Sequence, residues 1–399
     1  MSYRSLNENE VENYIKEKGF FGENEKLQVK EIGDGNLNLV FKVIGDSGKS
    51  YILKQALPYV KIVGSDWPLQ LNRNRLEAEA MKMQGELAPG LVPEIYYIDN
   101  ELALFIMEDL STLEVMRKGT LQMKKYPNFS EHISTFLANT IFYTSDFYLN
   151  PLEKKEMVRR FINPDLCKIT EDLIFTDPYY NSPRNKINPE LISYLENKFW
   201  KRQYLWNEAS KLKYIFMTKA ESLLHGDLHT GSIFVSKNDT KVFDSEFSFF
   251  GPSAFDPGLL IGNLLINYVS WEGKEYSKEK VEDYREYLLI TIGDIYKKFT
   301  DKFSKLWGEK TNDISFKDNN FLDHYFSEFF EDMMGYAAAA MIRRMHGLAH
   351  NIDVDEIEDL KERSKVQIII LELATQLMMN RERFKVIEDV ISYVKSIIF

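Results

Sequence analysis

Residues 224–235 read LHGDLHTGSIFV, and residues 241–246 read KVFDSE. The apolar runs in these two segments predict a short hairpin that carries the chain from Asp227 to Asp244. A carboxylate on a tight loop, as expected for Asp227, can accept the proton of an attacking hydroxyl group. A second carboxylate at Asp244 can bind Mg²⁺, which bridges the phosphate oxygens of a nucleotide. Together the two segments indicate phosphoryl transfer.

The same segments resemble the catalytic loop and the metal-binding loop of the aminoglycoside phosphotransferase and choline kinase group. The resemblance implies a two-lobed, protein-kinase-like α+β fold. One lobe would be a small antiparallel β-sheet with one main helix, and the other would be larger and mostly helical. ATP and Mg²⁺ are the implied cofactors. Asp227 would be the catalytic base that contacts the substrate, and Asp244 would be a metal ligand.

The sequence departs from the group's pattern at Ser232, where the group has a metal-binding Asn. A hydroxyl group is a weaker ligand than an amide carbonyl, so whether Ser232 binds the metal stays open. Glu246 follows Asp244 by two residues, and side chains with this spacing in an extended chain point the same way. We therefore expect Asp244 and Glu246 to bind the metal together.

Within the group, D-L-H-T-G-S with D-S-E is similar to the methylthioribose kinases, and G-P-S-A-F-D-P-G at 251–258 and the pair Arg343-Arg344 extend the similarity. It implies transfer of the γ-phosphoryl group of ATP to the C1 hydroxyl of 5-methylthioribose, a step of methionine salvage. Arg343 and Arg344 would lie at the sugar site. Small or apolar residues flank the pair, and buried guanidinium groups need anions or dense hydrogen bonding. Internal ion pairing is therefore the alternative role. The resemblance also implies a homodimer.

Strand-like runs fill residues 27–53, and a glycine turn separates the first run from the second. Such a turn can cover phosphate groups with its main-chain N–H groups, which is the role we expect for Gly33 and Gly35. The resemblance further implies that Asn38 contacts the nucleotide.

A lysine at the end of the third strand can reach the α- and β-phosphates as a point charge. Lys54 is the candidate that we favour, and Lys61 is the alternative. Such a lysine usually pairs with a carboxylate on the following helix, here predicted over 69–87. Glu79 lies nearer than Glu77 to the centre of this helix's apolar stripe, so we expect Glu79 to be the partner. The stripe consists of Leu76, Ala80, Met83 and Leu87.

An apolar strand ends at the segment Met107-Glu108-Asp109-Leu110, immediately before the helical part of the chain. In kinases this is the hinge, where main-chain groups bind adenine. We therefore expect nucleotide contacts at Glu108, Asp109 and Leu110, and a hinge at about 107–111.

This hinge divides the chain into a nucleotide-binding N-lobe over 1–110 and a helical C-lobe with the catalytic loop, metal loop and sugar site over 111–399. Residues 161–190, which contain several Pro and Asn, predict an irregular insertion. Helices are predicted at about 8–18, 69–87, 111–118, 130–148, 153–160, 190–220, 258–268, 276–306, 320–349 and 355–395.

Composition narrows the class of partner. The chain has 61 acidic and 50 basic residues and a net charge of −11, which argues against nucleic acid and anionic membranes as main partners. The single cysteine, Cys167, excludes internal disulfides and a cysteine-based zinc site. Residues 1–19 are charged and lack the apolar core of an export signal. We expect a cytoplasmic enzyme with a small-molecule sugar substrate and no nucleic-acid or membrane partner.

Three other functions compete with this hypothesis. A kinase of the same fold could act on choline, homoserine or an aminoglycoside, but cationic acceptors favour carboxylates or an aromatic cage over paired arginines. A non-catalytic nucleotide-binding scaffold would be favoured by replacement of Asp227 or Asp244, and both are present. A protein kinase would need a longer activation segment than the short link from Asp244 to Asp256.

Overall fold

The computed structural model describes residues 3–32, 37–61 and 64–398, and its first part is built on one five-stranded antiparallel sheet. The strand order is β1-β2-β3-β7-β6, with helix α1 packed on one face and helix α2 on the other. A separate two-stranded hairpin, β4–β5, precedes α2. The elements are α1 (Glu8–Glu17), β1 (Leu27–Glu31), β2 (Asn38–Gly45), β3 (Ser50–Ala56), β4 (Tyr59–Val60), β5 (Gly64–Pro68), α2 (Asn72–Leu87), β6 (Ile95–Asp99) and β7 (Leu104–Glu108).

The pleat of β3 determines where Lys54 lies. Val40 of β2 and Phe105 of β7 flank Lys54 in the sheet. Because side chains alternate between the two faces of a strand, Leu53 packs against α1, whereas Ile52 packs toward the helical lobe. Lys54 shares the face of Ile52 and therefore faces the cleft between the lobes.

The second lobe is mostly helical, as predicted. Its helices are α3 (Met116–Thr120), α4 (Phe129–Tyr143), α5 (Pro151–Arg160), α6 (Pro164–Leu173), α7 (Ile192–Tyr194), α8 (Gln203–Thr218), α9 (Phe255–Ser270), α10 (Lys278–Lys310), α11 (Asn319–His346), α12 (Ile352–Asp355), α13 (Leu360–Met379) and α14 (Ile387–Ile398). Helix α9 is buried along its whole length among α10, α11 and α13. None of the helices in the described part of the chain has the length and hydropathy needed to cross a membrane.

Several element predictions were wrong in detail. The helix expected over 111–118 is the five-residue α3, because residues 114–115 instead form a strand, β8 (Glu114–Val115). The insertion at 161–190 contains the regular helix α6. The runs expected as single helices over 190–220 and 355–395 are each interrupted.

A small sheet carries the predicted catalytic hairpin. Strands β10 (Ile233–Val235) and β11 (Thr240–Val242) form the hairpin, and β8 pairs with β10 on its other side. Two further short strands, β9 (Ser222–Leu223) and β12 (Phe250–Gly251), pair with each other. The catalytic loop thus runs from β9 to β10, and the metal loop runs from β11 to β12.

Candidate active site

Asp256 anchors the catalytic loop. Its carboxylate accepts hydrogen bonds from the main-chain N–H groups of His225, at 2.7 Å, and Gly226, at 3.0 Å. Gly226 has φ +86°, and a Cβ atom there would lie 2.2 Å from the carbonyl oxygen of Phe247. Only glycine fits this approach of the catalytic loop to the metal loop.

His225 connects the two loops. Its Nδ1 accepts the main-chain N–H of Asp227 at 3.2 Å, so the ring proton lies on Nε2, which donates to the carbonyl of Phe243 at 2.8 Å. Phe243 immediately precedes Asp244. His225 therefore fixes the spacing between the loops that carry Asp227 and Asp244.

Asp227 lies between two nitrogen-bearing side chains. Oδ1 lies 3.3 Å from Nη2 of Arg343, and Oδ2 lies 3.3 Å from Nε2 of His229. Burial alone would raise the pKa of Asp227, but His229, Arg343 and Arg344 together hold it well below its usual range. Asp227 is therefore ionised throughout the physiological range of pH.

The two arginines at the end of α11 are placed differently. Arg343 reaches Asp227, and its Nε atom is buried without a hydrogen-bond partner among the described residues. Arg344 donates instead to the carbonyl groups of Ala349 and His350, at 3.4 and 3.3 Å. Arg343 thus has an unused donor beside Asp227, whereas Arg344 holds the loop that follows α11.

Asp244 and Glu246 meet residues of the N-lobe. Oxygen atoms of Glu77, Asp244 and Glu246 lie within 4.8 Å of one another. Lys54 donates to Glu77 at 2.6 Å and also to Asp244. Burial opposes the charge of Lys54, but the carboxylates of Asp244 and Glu77 outweigh burial and raise its pKa.

This cluster fits a divalent cation. Three carboxylates share only two nearby cations, Lys54 and Arg73, and Oε2 of Glu77 has no hydrogen-bond partner among the described residues. Burial, with Asp244 adding to it, raises the pKa of Glu246. The excess negative charge and the all-oxygen donor set are those that Mg²⁺ prefers.

The predicted partner of Lys54 was wrong. Glu77, not Glu79, pairs with Lys54, whereas Glu79 binds Arg75 and Arg160 at the edge of the lobe, at 2.6 and 2.9 Å. The apolar stripe used for the prediction faces the C-lobe rather than the sheet. Leu76 and Ala80 of the stripe pack against Phe161, Leu223 and Phe250.

The other N-lobe residues that were predicted to bind the nucleotide have different surroundings. Lys61, the alternative to Lys54, pairs with Glu31 at 2.7 Å. Asn38 is buried, and its Nδ2 donates to Glu246 at 2.8 Å. Gly33 and Gly35 lie outside the described residues.

The hydroxyl group of Ser232 serves the catalytic loop. Oγ accepts the main-chain N–H of His229 at 2.9 Å and lies 3.0 Å from the carbonyl oxygen of Asp227. These contacts use the hydroxyl group within the loop, so Asp244 and Glu246 remain the predicted ligands.

The side chains of the predicted hinge are engaged with neighbouring residues. Glu108 pairs with Lys241 at 2.9 Å, Asp109 pairs with Lys42 at 3.0 Å, and Leu110 is buried. Adenine contacts here stay a prediction, and they would be made through the main chain.

Two charged residues near the catalytic loop, Arg117 and Asp353, were not predicted from the sequence. Arg117 donates from its main chain to the carbonyl of Thr230 at 2.9 Å and from Nε to the hydroxyl of Thr230 at 3.2 Å. Asp353 is buried and accepts a hydrogen bond from Asn267 at 2.6 Å. Arg117 belongs to no recognisable motif, and the acidic run around Asp353 looks like a surface, so neither residue had a usable signal.

Comparisons with known proteins agree with this geometry. Residues 28–290 match the model of the phosphotransferase enzyme family (APH). A methylthioribose kinase of Geobacillus sp. (strain WCH70) is 44% identical over 365 residues, which cover 91% of this chain and 89% of the relative. The methylthioribose kinase of Geobacillus thermodenitrificans (strain NG80-2) is 43% identical over 97% of this chain and 96% of the relative. That of Bacillus cereus (strain ATCC 10987 / NRS 248) is 43% identical over 95% and 93%.

Proposed function

The chain belongs to the phosphotransferase enzyme family, among the methylthioribose kinases, and from this premise we propose that it phosphorylates 5-methylthioribose. The γ-phosphoryl group of ATP passes to the C1 hydroxyl and gives 5-methylthioribose 1-phosphate, a step of methionine salvage. The observation that carries the proposal is the position of Asp227, which faces Arg343 on the acceptor side. His225 ties the loop of Asp227 to the metal loop.

Asp227 orients the acceptor hydroxyl and receives its proton. A carboxylate with a lowered pKa is a weak base, but the transition state of phosphoryl transfer is loose and needs little proton removal before the phosphoryl group moves. The anomeric hydroxyl of a reducing sugar is also more acidic than an ordinary alcohol. Asp227 therefore acts mainly by alignment and accepts the proton late.

Arg343 supplies donors where negative charge develops. Its buried Nε has no partner among the described residues, while Nη2 holds Asp227. A guanidinium group in this position can donate to a sugar hydroxyl or to an equatorial oxygen of the moving phosphoryl group. A positive group here also disfavours choline and other cationic acceptors.

Asp244 and Glu246 would hold Mg²⁺, and Lys54 would contact the α- and β-phosphates of ATP. When bound, Mg²⁺ neutralises charge on the β- and γ-phosphate oxygens. Glu77 keeps Lys54 directed at the cleft through the 2.6 Å contact, which fixes the lysine before the nucleotide arrives.

A coupled ADP-release assay tests the acceptor. With ATP and Mg²⁺, we expect rapid turnover with methylthioribose and little with ribose, choline, homoserine or kanamycin. Phosphorus NMR of the product should place the phosphate on C1. The Asp227→Asn variant serves as the control for contaminating kinases. Turnover of choline or kanamycin at a comparable kcat/KM would refute the sugar assignment and leave the kinase assignment intact.

The resemblance to methylthioribose kinases also leads us to propose a homodimer that works in the cytoplasm. Light scattering at micromolar concentration should give a molar mass near twice the 46.8 kDa of one chain. A single-chain mass over the whole concentration range of the activity assay would exclude the dimer as the working form.

A further inference from the structure

We propose that His229 is a positioning residue for the catalytic carboxylate, in which a proton on Nε2 holds Asp227 in the orientation that meets the acceptor hydroxyl. The proposal rests on the function proposed above, in which Asp227 is the residue that receives the proton. It assigns a role to a histidine within the D-L-H-T-G-S segment that the proposed mechanism has not yet used.

Hydrogen bonds fix the tautomer of His229. Its Nδ1 lies 3.0 Å from the main-chain nitrogen of Gly231, which can only donate. Nδ1 must therefore be the acceptor, and in a neutral imidazole the proton is then on Nε2. Nε2, which carries the remaining proton, lies 3.3 Å from Oδ2 of Asp227.

The two carboxylate oxygens of Asp227 therefore have different partners. Arg343 takes Oδ1 from helix α11, and His229 takes Oδ2 from within the loop. A carboxylate bound at only one oxygen can rotate about its side-chain bonds, whereas one bound at both is restricted. His229 thus supplies the second constraint on the direction of the catalytic group.

Packing keeps the ring of His229 in place. A Cβ atom on Gly231 would lie 2.8 Å from Cε1 of His229 and 3.0 Å from Cζ of Arg117. The absence of a side chain at Gly231 leaves room for the imidazole and the guanidinium group together. Arg117 is in turn fixed by Thr230 and by Asn263, whose Oδ1 lies 3.3 Å from Nη2.

Burial keeps the ring of His229 neutral. It lowers the pKa of His229 to about 4, although Asp227 favours a second proton. Arg117 and Arg344 oppose that proton and so add to the effect of burial. A neutral ring at physiological pH leaves Nδ1 able to accept from Gly231, in agreement with the hydrogen-bond geometry.

His225 and His229 make the same kind of hydrogen bond at Nδ1 but face different groups at Nε2. Each histidine accepts at Nδ1 from the main-chain N–H two residues later. The Nε2 proton of His225 goes to the carbonyl of Phe243, which is a structural contact. Nε2 of His229 instead lies 3.3 Å from the carboxylate of Asp227. The difference in target separates a residue that shapes the loop from one that acts on the catalytic group.

Two amide substitutions separate positioning from loop bracing. In His229→Gln the amide nitrogen can take the place of Nε2 and donate to Asp227. In His229→Asn the amide oxygen can take the place of Nδ1 and accept from Gly231, but the side chain is too short to reach Asp227. We expect His229→Gln to keep kcat within about threefold. We expect His229→Asn to lower kcat by about 10- to 100-fold, as for a misplaced catalytic group, with KM for ATP unchanged. The reverse order of the two variants would overturn the proposal.

Two further measurements remove the remaining ambiguities. In an Asp227→Asn background, His229→Asn should cause no further loss of kcat, whereas an equal further loss would overturn the positioning role. A fully active Asp227→Asn enzyme would refute the proposed function itself.

If both histidine variants fail to fold, nitrogen-15 NMR of the wild-type imidazoles at pH 7 tests the proposal. A ring of His229 protonated only on Nε2 supports the proposal, and one protonated on Nδ1 overturns it. Substitution of His225 assigns the signals.

Discussion

Asp227 and Asp244 lie in one site but have different partners. Asp227 contacts Arg343 and His229, whereas Asp244 contacts Lys54 from the N-lobe. Asp244 also has φ +71°, in the left-handed region that non-glycine residues rarely adopt. Such a conformation persists only when the surrounding structure holds it. Loss of charge at the two positions should therefore affect different steps.

Asp227→Asn keeps the shape of the side chain but removes the proton acceptor. We expect kcat to fall by about 10²- to 10⁴-fold with little change in ATP affinity. Asp244→Asn should in addition weaken nucleotide binding that depends on Mg²⁺. Calorimetric titration of ATP at several Mg²⁺ concentrations separates the two effects. If extra Mg²⁺ restores the Asp227 variant rather than the Asp244 variant, the two roles are reversed.

The two arginines of α11 should respond differently to lysine. Arg343→Lys keeps the charge but loses the planar fork, so KM for the sugar should rise, kcat should fall, or both, by up to a few kcal/mol of transition-state stabilisation. KM for ATP should hardly change. Arg344→Lys loses its contacts with the loop after α11 and should mainly lower the melting temperature. Kinetics with the sugar and melting curves of both variants test this prediction. A destabilised Arg343→Lys variant with unchanged sugar kinetics would mean that the pair only joins helices.

At the scale of single elements, the strands within 27–53 could be predicted from their apolar runs and the glycines between them, whereas the hairpin β4–β5 was not predicted. Helix α2 shows where periodicity fails. Its residues pack on two sides, with Ala78 and Met81 in the main core and Leu76 and Ala80 against the C-lobe. A helix enclosed on two sides has no single apolar stripe. The sequence therefore placed Glu79, rather than Glu77, beside Lys54.

The positions at which helices are interrupted could not be predicted from the sequence either. Residues 190–220 and 355–395 have helical composition throughout, yet each run is interrupted. Asp353, just before the second run, is buried and accepts a hydrogen bond from Asn267. Tertiary contacts of this kind leave no pattern in the local sequence. The catalytic loop and the hairpin do leave one, because their local geometry requires the glycine and the carboxylates.

Helix α5 is attached to the lobe by a buried lysine. Nζ of Lys154 donates to the carbonyl of Thr144 at 3.1 Å and also to that of Glu221, and it lies 4.7 Å from the ring centroid of Phe250. Burial lowers the pKa of Lys154 to about 8, although Asp146 at 3.3 Å opposes the shift. The unfolded chain therefore binds more protons at this position than the folded chain between about pH 8 and the ordinary lysine pKa.

This difference predicts a pH-dependent stability. Because the unfolded state holds the extra proton, the free energy of unfolding should rise with pH from about 8 to about 10, and the penalty should be present in full below pH 8. Compared with Lys154→Met, in which this group does not titrate, the wild type should gain about 1–3 kcal/mol across the window. Urea unfolding of both proteins at pH 7.5 and 9.5 measures it. An unchanged difference between the two proteins would mean that Lys154 stays charged when buried.

At the scale of the whole molecule, the two lobes are joined beside the metal site. Arg73 of α2 is buried, donates to the carbonyl groups of Leu37 and Leu57, both at 2.9 Å, and lies 3.4 Å from Glu246 of the C-lobe. Nearby, an apolar cluster bridges the lobes and consists of Leu37, Trp67, Leu69, Leu166, Ile169 and Phe247. These partners are far apart in the sequence and belong to no shared motif, so only the structure brings them together.

Arg73 should therefore couple lobe packing to the metal site, and Arg75 on the same helix provides a matched control. Arg73→Lys keeps the charge but cannot satisfy both carbonyl groups and Glu246 at once, which leaves buried polar groups without partners. We expect the free energy of unfolding to fall by about 2–4 kcal/mol and the Mg²⁺ concentration for half-maximal activity to rise. Arg75→Lys changes a partly exposed pair with Glu79 and exposed hydrogen bonds to Asn72 and to the carbonyl of Arg160, and it should cost less than about 1 kcal/mol. Denaturant unfolding and Mg²⁺ titrations of both variants test this, and equal effects at the two positions would show that the contact of Arg73 with the metal loop carries no special weight.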